Sequence, residues 1–507
     1  METKKIVLWI MMLVVSTTTF AKWNGTSTPW THGNGSIQQP FLIENAEQLA
    51  FLSDMVLSGT TYSNKYFKLT NNISLSNVKW TPIGNATNAF QGHFDGNGLT
   101  IDSIQIIDSC LELFNSERHY GLFGHTRNAC IQHLTCNIVV RQLRLNLSHP
   151  VQISDYRIGG IIALAETTFV NNCQTNGVLY TNLVHSYTGT GTYGAVGGIV
   201  GRADHCLITN CSNYCDIYTQ NFGGGIVGYA IGDTIRNCGN YGALYGDNTT
   251  NNTRSSVLVG GIAGGMMYSN IGFVQICKND GSITVNGNSG DMIHVQAGGI
   301  CANNSKYYSI EYCYNTGEII ATKTGPLSKG QICGIAPYGL KSCYNVGKIN
   351  EQGFYFIYGA GKKDDGVVNS YYLNTCMPNN VEVQQGGIDR TEAQMKSVSF
   401  PAMLNTDSTV FVMDENGENG GFPIFGIGHN PPVSVIEVPD YQYKICTYQD
   451  RTLTLKEATG QAVMVTNVAG IIIYKTSNYA NEIIRINNPG IYIIQVANKY
   501  VSKLYIN

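Results

Sequence analysis

Apolar positions along this chain come in short runs, and the residues that break the runs are glycine, asparagine and cysteine more often than charged residues. One segment has a helical period. Leu49, Leu52, Met55 and Val56 recur at i, i+3 and i+4 behind Asn45, a residue that caps helices, with Gln48 three positions on. Gly59 stands where a helix ends. After it the pattern is that of strands and turns: Tyr66-Phe67-Lys68-Leu69, Trp80-Thr81-Pro82-Ile83-Gly84, then Phe90 to Ile101 around the turn Asp95-Gly96-Asn97-Gly98.

The middle of the chain repeats. A Gly-apolar-apolar unit occurs at Gly160, Gly198, Gly225, Gly261, Gly299 and Gly334, at intervals of 38, 27, 36, 38 and 35 residues, with a degenerate copy at Gly121 to Gly124. Each full copy is followed by a cysteine: Cys173, Cys211, Cys238, Cys277, Cys313 and Cys343. Beyond five of them lie an asparagine and a glycine, Asn176-Gly177 and then Asn240, Asn279, Asn315 and Asn345 with Gly242, Gly281, Gly317 and Gly347. A period of 27 residues fits one coil of three short strands and their turns, and is too short for two. Single coils cannot bury their apolar residues, so they stack. The expected fold is all-β, a right-handed parallel β-helix. The segment between each cysteine and the next glycine pair varies most, so Leu183 to Ala195, Asp247 to Leu258 and Gly287 to Gln296 are expected to be loops inserted on one face.

The ends have other textures. Lys4 and Lys5, ten apolar residues from Ile6 to Val15, and Thr19-Phe20-Ala21 predict a cleaved signal peptide, since ten apolar residues are too few to cross a bilayer. Thr391 and Gln394 form a capping box before a short helix expected to close the open end of the coil. Asn430-Pro431-Pro432 and Pro439 mark a linker, and about seven strand-like runs after Tyr441 predict a small β-sandwich. The expected division is 1–21 signal peptide, 22–107 N-terminal cap and first coils, 108–375 repeat β-helix, 376–430 C-terminal cap, 431–440 linker and 441–507 C-terminal β-sandwich.

Composition narrows the chemistry. Charged residues are 13% of the chain and the net charge is −3, so no electrostatic footprint for nucleic acid is present. The fifteen cysteines fit a buried ladder of thiols, one per coil. In-register side chains about 4.8 Å apart exceed the Cβ separation of a disulfide. Cys206, Cys211 and Cys215, close in sequence, are the expected exception. No Cys-x-x-Cys pair, metalloprotease helix motif or nucleophile elbow occurs, so no catalytic, metal or cofactor residues are assigned. Acidic residues of the repeats, among them Asp155, Glu166, Asp204 and Asp216, are read as falling at non-equivalent offsets in adjacent coils. Asp364-Asp365 is read as a solvated turn.

Two resemblances bear on function. Gly197-Gly198-Ile199-Val200-Gly201, Gly224-Gly225-Ile226-Val227-Gly228 and Gly260-Gly261-Ile262-Ala263-Gly264 resemble the repeats of GLUG-motif bacterial surface proteins, over roughly residues 23 to 425. Asn467-Val468-Ala469-Gly470, Pro489 to Ile494 and Lys503-Leu504-Tyr505-Ile506 resemble a type IX secretion C-terminal sorting domain. Together they imply an exported protein at the cell surface, outer membrane or outside the cell. Such a protein is adhesin-like and non-enzymatic, and binds a glycan or a host or matrix protein. Its tail serves the type IX secretion machinery, its mature chain has no membrane-spanning segment, and no cofactor is expected. Tyr187, Tyr193, Tyr307 and Tyr308 would contribute if they cluster outward. The alternatives are a polysaccharide lyase or glycoside hydrolase, and a passive surface spacer.

Overall fold

The structure, a computed structural model, describes residues 23–426 other than 77, 109–117, 143–155, 183–193, 250–255, 268–269, 289–293, 325–329, 355, 363–365, 379–385 and 407, and most of 446–506. The signal segment, the linker, Asp364-Asp365, Tyr187, Tyr193 and most of the three insert loops lie outside the described residues.

The chain coils into a parallel β-helix. A long sheet of twenty-two strands is made of successive short segments in each coil, such as Thr234–Arg236, Gly239–Asn240 and Leu244–Asp247. An eight-stranded and a six-stranded sheet supply the other walls. Pairing along all three is parallel and in register from coil to coil, for example Ile217 to Leu244 to Ile283 to Ile319 to Ile349. These inward residues are fully buried, and with Val227, Val259 and Ile300 they form one continuous core. The predicted helix is Ala46–Leu57. Asn45 accepts the Gln48 N–H at 3.0 Å, and Gly59 follows with φ +107°. Its Leu49, Leu52 and Val56 extend the core beside Trp23 and Trp80.

The repeat motif has a physical cause. Asn213, Asn240, Asn279, Asn315 and Asn345 stack as a fully buried column. Each Nδ2 donates to the Oδ1 of the next coil at 2.7–2.8 Å. From Asn240 on, its second hydrogen goes to the carbonyl of the glycine two residues on, at 2.9–3.2 Å. Thr175 begins the column by donating to Asn213, and Asn345 ends it on the Cys376 sulfur at 3.3 Å. Both glycine positions are dictated by this column. A Cβ on Gly261 would lie 2.0 Å from the Gly299 carbonyl and 2.4 Å from the Asn279 amide carbon, and one on Gly281 2.0 Å from the Gly242 carbonyl. The ladder counts two residues on from the cysteine. Asn176, three on, belongs instead to an outer pair with Asn137.

The cysteines form a second column. Cys173, Cys211, Cys238, Cys277, Cys313 and Cys343 are buried, and the Cys211 and Cys313 N–H groups each point at the sulfur of the next coil, Cys238 and Cys343, at 3.4 Å. Each Sγ also points at the carbonyl two residues back, at 3.2–3.4 Å. Cys206, Cys211 and Cys215 are free thiols, which corrects the expected exception: they belong to three different columns of the coil. Before each rung the backbone makes a left-handed turn at Asn172, Asn210, Asn237, Ile276, Tyr312 and Ser342, φ +52° to +56°.

The C-terminal segment is also placed differently from expectation. The capping box at Thr391 is present before Glu392–Met395. But Phe400, Phe411 and Phe425 pack on the outward ring column Tyr314–Tyr344–Tyr371, along the flank of the last coils. Three aromatic rings on that flank give Phe400, Phe411 and Phe425 apolar surface to bury. After residue 446, seven short strands make antiparallel sheets of three and four.

The amide column predicts a large asymmetry between two asparagines. Asn279→Leu strands a donor on Asn240 and acceptors on Asn315 and Gly281, so it should cost about 3–5 kcal/mol, from about 1–3 for each buried group left without its bond. Asn176→Ala, on the half-exposed outside, should cost less than about 1 kcal/mol. Urea midpoints of the two variants give the comparison. For the thiols, alkylation in denaturant without reductant should label every member of the cysteine column by intact mass, and any unlabelled pair contradicts the ladder.

Candidate functional site

Register places outward side chains in columns as regular as the core. On the long sheet, Asn176, Val178 and Tyr180 lie beside Tyr214, Asp216 and Tyr218 of the next coil, and Tyr218 beside Tyr245 of the one after. The same alternation puts Tyr241 and Ala243 beside Tyr214 and Asp216, then Asp280, Ser282 and Thr284 beyond. Two tyrosine stacks result. The Tyr214 and Tyr241 rings are 4.6 Å apart at 7°, and those of Tyr218 and Tyr245 4.6 Å apart at 8°. Four residues separate the stacks along each strand, roughly 13 Å. Between them runs a floor of short side chains, Asp216, Ala243 and Ser282.

The stacked rings use their faces on each other; the Tyr241 hydroxyl is buried, and the partly exposed Tyr218 and Tyr245 rings leave their edges to the outer surface. Faces already used in stacking leave hydrogen bonding as what the arrangement offers a ligand. The far face of Tyr241 is taken by the Lys278 ammonium, 4.9 Å from the ring centre, which also pairs with Asp280 at 2.8 Å. Burial, and then the neighbouring phenol, push Tyr214 up to about 12; burial, then Tyr245 and Asp216, raise Tyr218. Tyr214 and Tyr218 are therefore neutral hydroxyls at physiological pH. Asp216 accepts the Ala243 N–H at 3.0 Å through Oδ1.

The strand ends that flank the expected insert loops border this face. The chain leaves the long sheet at Thr181, Asp247, Asn288 and Thr324, and enters the eight-stranded sheet at Ala195, Val257, Val295 and Gly330. The coil of Tyr214, Asp216 and Tyr218 is the exception, since Thr219 reaches Phe222 with two residues between. Of the tyrosines singled out in the sequence, Tyr307 is exposed, but Tyr308 is buried, its hydroxyl taking the Gly232 N–H. The two do not cluster outward. The stacking tyrosines carried a signal that sequence reasoning missed: 214 and 241, like 218 and 245, are separated by the 27-residue repeat interval.

A second polar group lies at the end of the six-stranded sheet. Arg127, Glu166 and Asp204 are in register on consecutive coils. Glu166 takes Arg127 Nε at 2.5 Å and faces buried His125 Nε2 at 3.2 Å, while His125 Nδ1 faces the Asn85 carbonyl at 3.0 Å. His205, at a left-handed turn, pairs with Asp204 at 2.5 Å. The bond to His125, with Arg127 behind it, outweighs burial and brings Glu166 down to about 2. The reading that adjacent coils hold no equivalent carboxylates is thus corrected. The Glu166–Asp204 spacing of 38 residues is that of Gly160 and Gly198. The Asp95 turn is a local irregularity in His93–Asp108, with Asn97 at φ +54° and its N–H on Asp95 at 2.9 Å. Among the described residues no three His, Cys, Asp or Glu side chains are placed to hold a metal ion.

No protein-family model matches the chain, and no curated protein matches it. Solved structures do. One is a proposed immunoglobulin A1 protease from Bacteroides ovatus, 15% identical, covering 78% of this chain and 94% of its own, with a TM-score of 0.39. Another, described as an IgA1 protease, is 12% identical at the same TM-score of 0.39; 81% of this chain is covered, but the chain spans only 26% of that protein. The expectation that the chain is not an enzyme is corrected in its premise, since Glu166 and Asp204 do stand at equivalent positions of adjacent coils; the name protease is that of the similar structures. No helix among the described residues is long and apolar enough to cross a membrane.

The Glu166 pair gives a pH prediction. A carboxyl held at about 2 against an ordinary value near 4.5 stabilises the fold fully above about pH 4.5, and loses that contribution as pH falls toward 2. Glu166→Gln should therefore lower Tm at pH 7 and bring the two proteins together near pH 2. Equal differences at both pH values would show that the charge on Glu166 contributes nothing.

Proposed function

We propose that this is a surface-displayed, adhesin-like protein that binds a glycan or protein ligand on the outward face of the long sheet. The observation that carries the reading is the pair of tyrosine stacks flanking the Asp216–Ala243–Ser282 floor. Phenol hydroxyls donate, the carboxylate accepts, and both are held by in-register strands, so little ordering remains to be done on binding. Removing both rings of the outer stack, Tyr218→Ala with Tyr245→Ala, should reduce adherence to a glycan and matrix-protein array by at least tenfold. It should shift Tm by only a few degrees, since both side chains are partly exposed. Unchanged adherence would move the binding site elsewhere.

Export belongs to the same reading. The start of the chain supplies passage across the inner membrane, and the tail, like type IX sorting domains in its Asn467–Gly470, Pro489–Ile494 and final-strand motifs, supplies passage across the outer one. Removal of Tyr441 to Asn507 should leave a folded body in the periplasm, and fusing that segment to another exported protein should bring it to the surface of a host with the machinery. A truncated protein that still reaches the surface contradicts the sorting role.

A further inference from the structure

Resting on that binding reading, we propose that Ala243 is the floor of a subsite for one residue of a neutral, hydroxyl-rich saccharide whose chain runs along the axis of the coil. The alanine is a notch in an otherwise filled surface. On its own strand it lies two residues from Tyr241 and two from Tyr245, and on the adjoining coils it is bounded by Asp216 and Ser282. The opening along the axis spans two inter-coil spacings, roughly 10 Å, and the opening along the strand is roughly 13 Å.

The chemistry at the notch suits hydroxyls. Asp216 Oδ1 is occupied by the Ala243 N–H at 3.0 Å, which fixes the carboxylate and leaves Oδ2 to accept from neighbouring hydroxyls of a sugar. Ser282 is on the opposite side and can donate or accept. Tyr218 and Tyr245 bring hydroxyls to one remaining side, and the Tyr214–Tyr241 stack walls the other.

Two other ligand classes fit less well. A peptide is held either by adding to a sheet edge or by apolar anchors entering pockets. Here the strands are paired on both sides, from Ile217 to Leu244 to Ile283. The large exposed apolar residues of the chain include none from the coils of Asp216 and Ala243. An acidic polysaccharide would meet Asp216, Asp247 and Asp280 on the face, and Lys278 is already paired with Asp280. A neutral saccharide meets acceptors and donors without a charge penalty.

The test uses the full chain, titrated calorimetrically with neutral hexasaccharides of glucose, mannose and galactose, with a hexagalacturonate and with an aromatic peptide. At least one neutral hexasaccharide should bind, while the hexagalacturonate and the peptide should not. Asp216→Asn keeps the acceptor for Ala243 and should weaken binding about tenfold. Ala243→Arg fills the notch and should abolish it, with Tm nearly unchanged because the side chain points outward. Asp280→Asn, off the floor, should leave affinity within about twofold. Failure of every neutral hexasaccharide to bind the unmodified chain, or undiminished binding by Ala243→Arg, overturns the proposal. If the Tyr218→Ala, Tyr245→Ala protein loses adherence while Ala243→Arg keeps it, the saccharide subsite falls and the binding face stands.

Discussion

The structure depends on a column of buried amides. An asparagine side chain has two N–H donors and one carbonyl acceptor, and in this coil every one of them is used from Asn240 to Asn345. A buried amide that loses its partners costs more than a typical hydrogen bond contributes, so the column tolerates a single register. A slip of one residue would send the amides to the outside and the tyrosines beside them to the interior. The glycine pairs follow, because the amides and the carbonyls of the next coil occupy the space where a Cβ would be. The cysteines follow too. Two residues before each amide the interior accepts only a small side chain, and a thiol can give its hydrogen to the carbonyl two residues back.

A register fixed on the inside is fixed on the outside as well. Residues one repeat apart are neighbours at about the spacing of paired strands, whatever lies between them in sequence. That is how Tyr214 meets Tyr241, Tyr218 meets Tyr245 and Glu166 meets Asp204. Inserted loops lengthen a coil without disturbing this alignment, since they leave after one strand and return before the next. The fold thus separates two tasks: its columns hold side chains in fixed relation, and its inserts can vary in length along one border.

Much of this was legible in the sequence. The glycine pairs, the cysteines and the helix caps at Asn45 and Thr391 are local signals, and each names its own position. The ladder was legible as a motif but misread in detail, because Asn176 precedes a glycine and looks like a rung. The rung is Thr175, and Asn213 was passed over because Cys215 stands where its glycine would be. The outward columns were unread for a different reason. They are visible only by comparing positions one repeat apart, and the repeat length changes from 27 to 38 residues, so no single period displays them. The resting place of the C-terminal segment was not legible, since a capping box fixes where a helix starts and says nothing about the surface that its aromatic neighbours will find.

That last point bears on the binding face. The chain shows on its own flank what an outward tyrosine column does when a partner surface is present: Tyr314, Tyr344 and Tyr371 are buried under Phe400, Phe411 and Phe425, and the Tyr344 hydroxyl takes Asn419 at 2.9 Å. The stacks at Tyr214–Tyr241 and Tyr218–Tyr245 stand two and six residues further along equivalent strands, and their outward side chains stay partly exposed. Lys278 marks the boundary, 4.9 Å from the ring centre of Tyr241 on one side and 6.0 Å from that of Tyr314 on the other. Its ammonium needs water or a carboxylate, and Asp280 provides the carboxylate at 2.8 Å. A charged pair at that position cannot be covered by the apolar segment without a desolvation cost that exceeds the gain from one more ring. The covering therefore stops at Lys278, and beyond it the Tyr218 and Tyr245 side chains stay partly exposed.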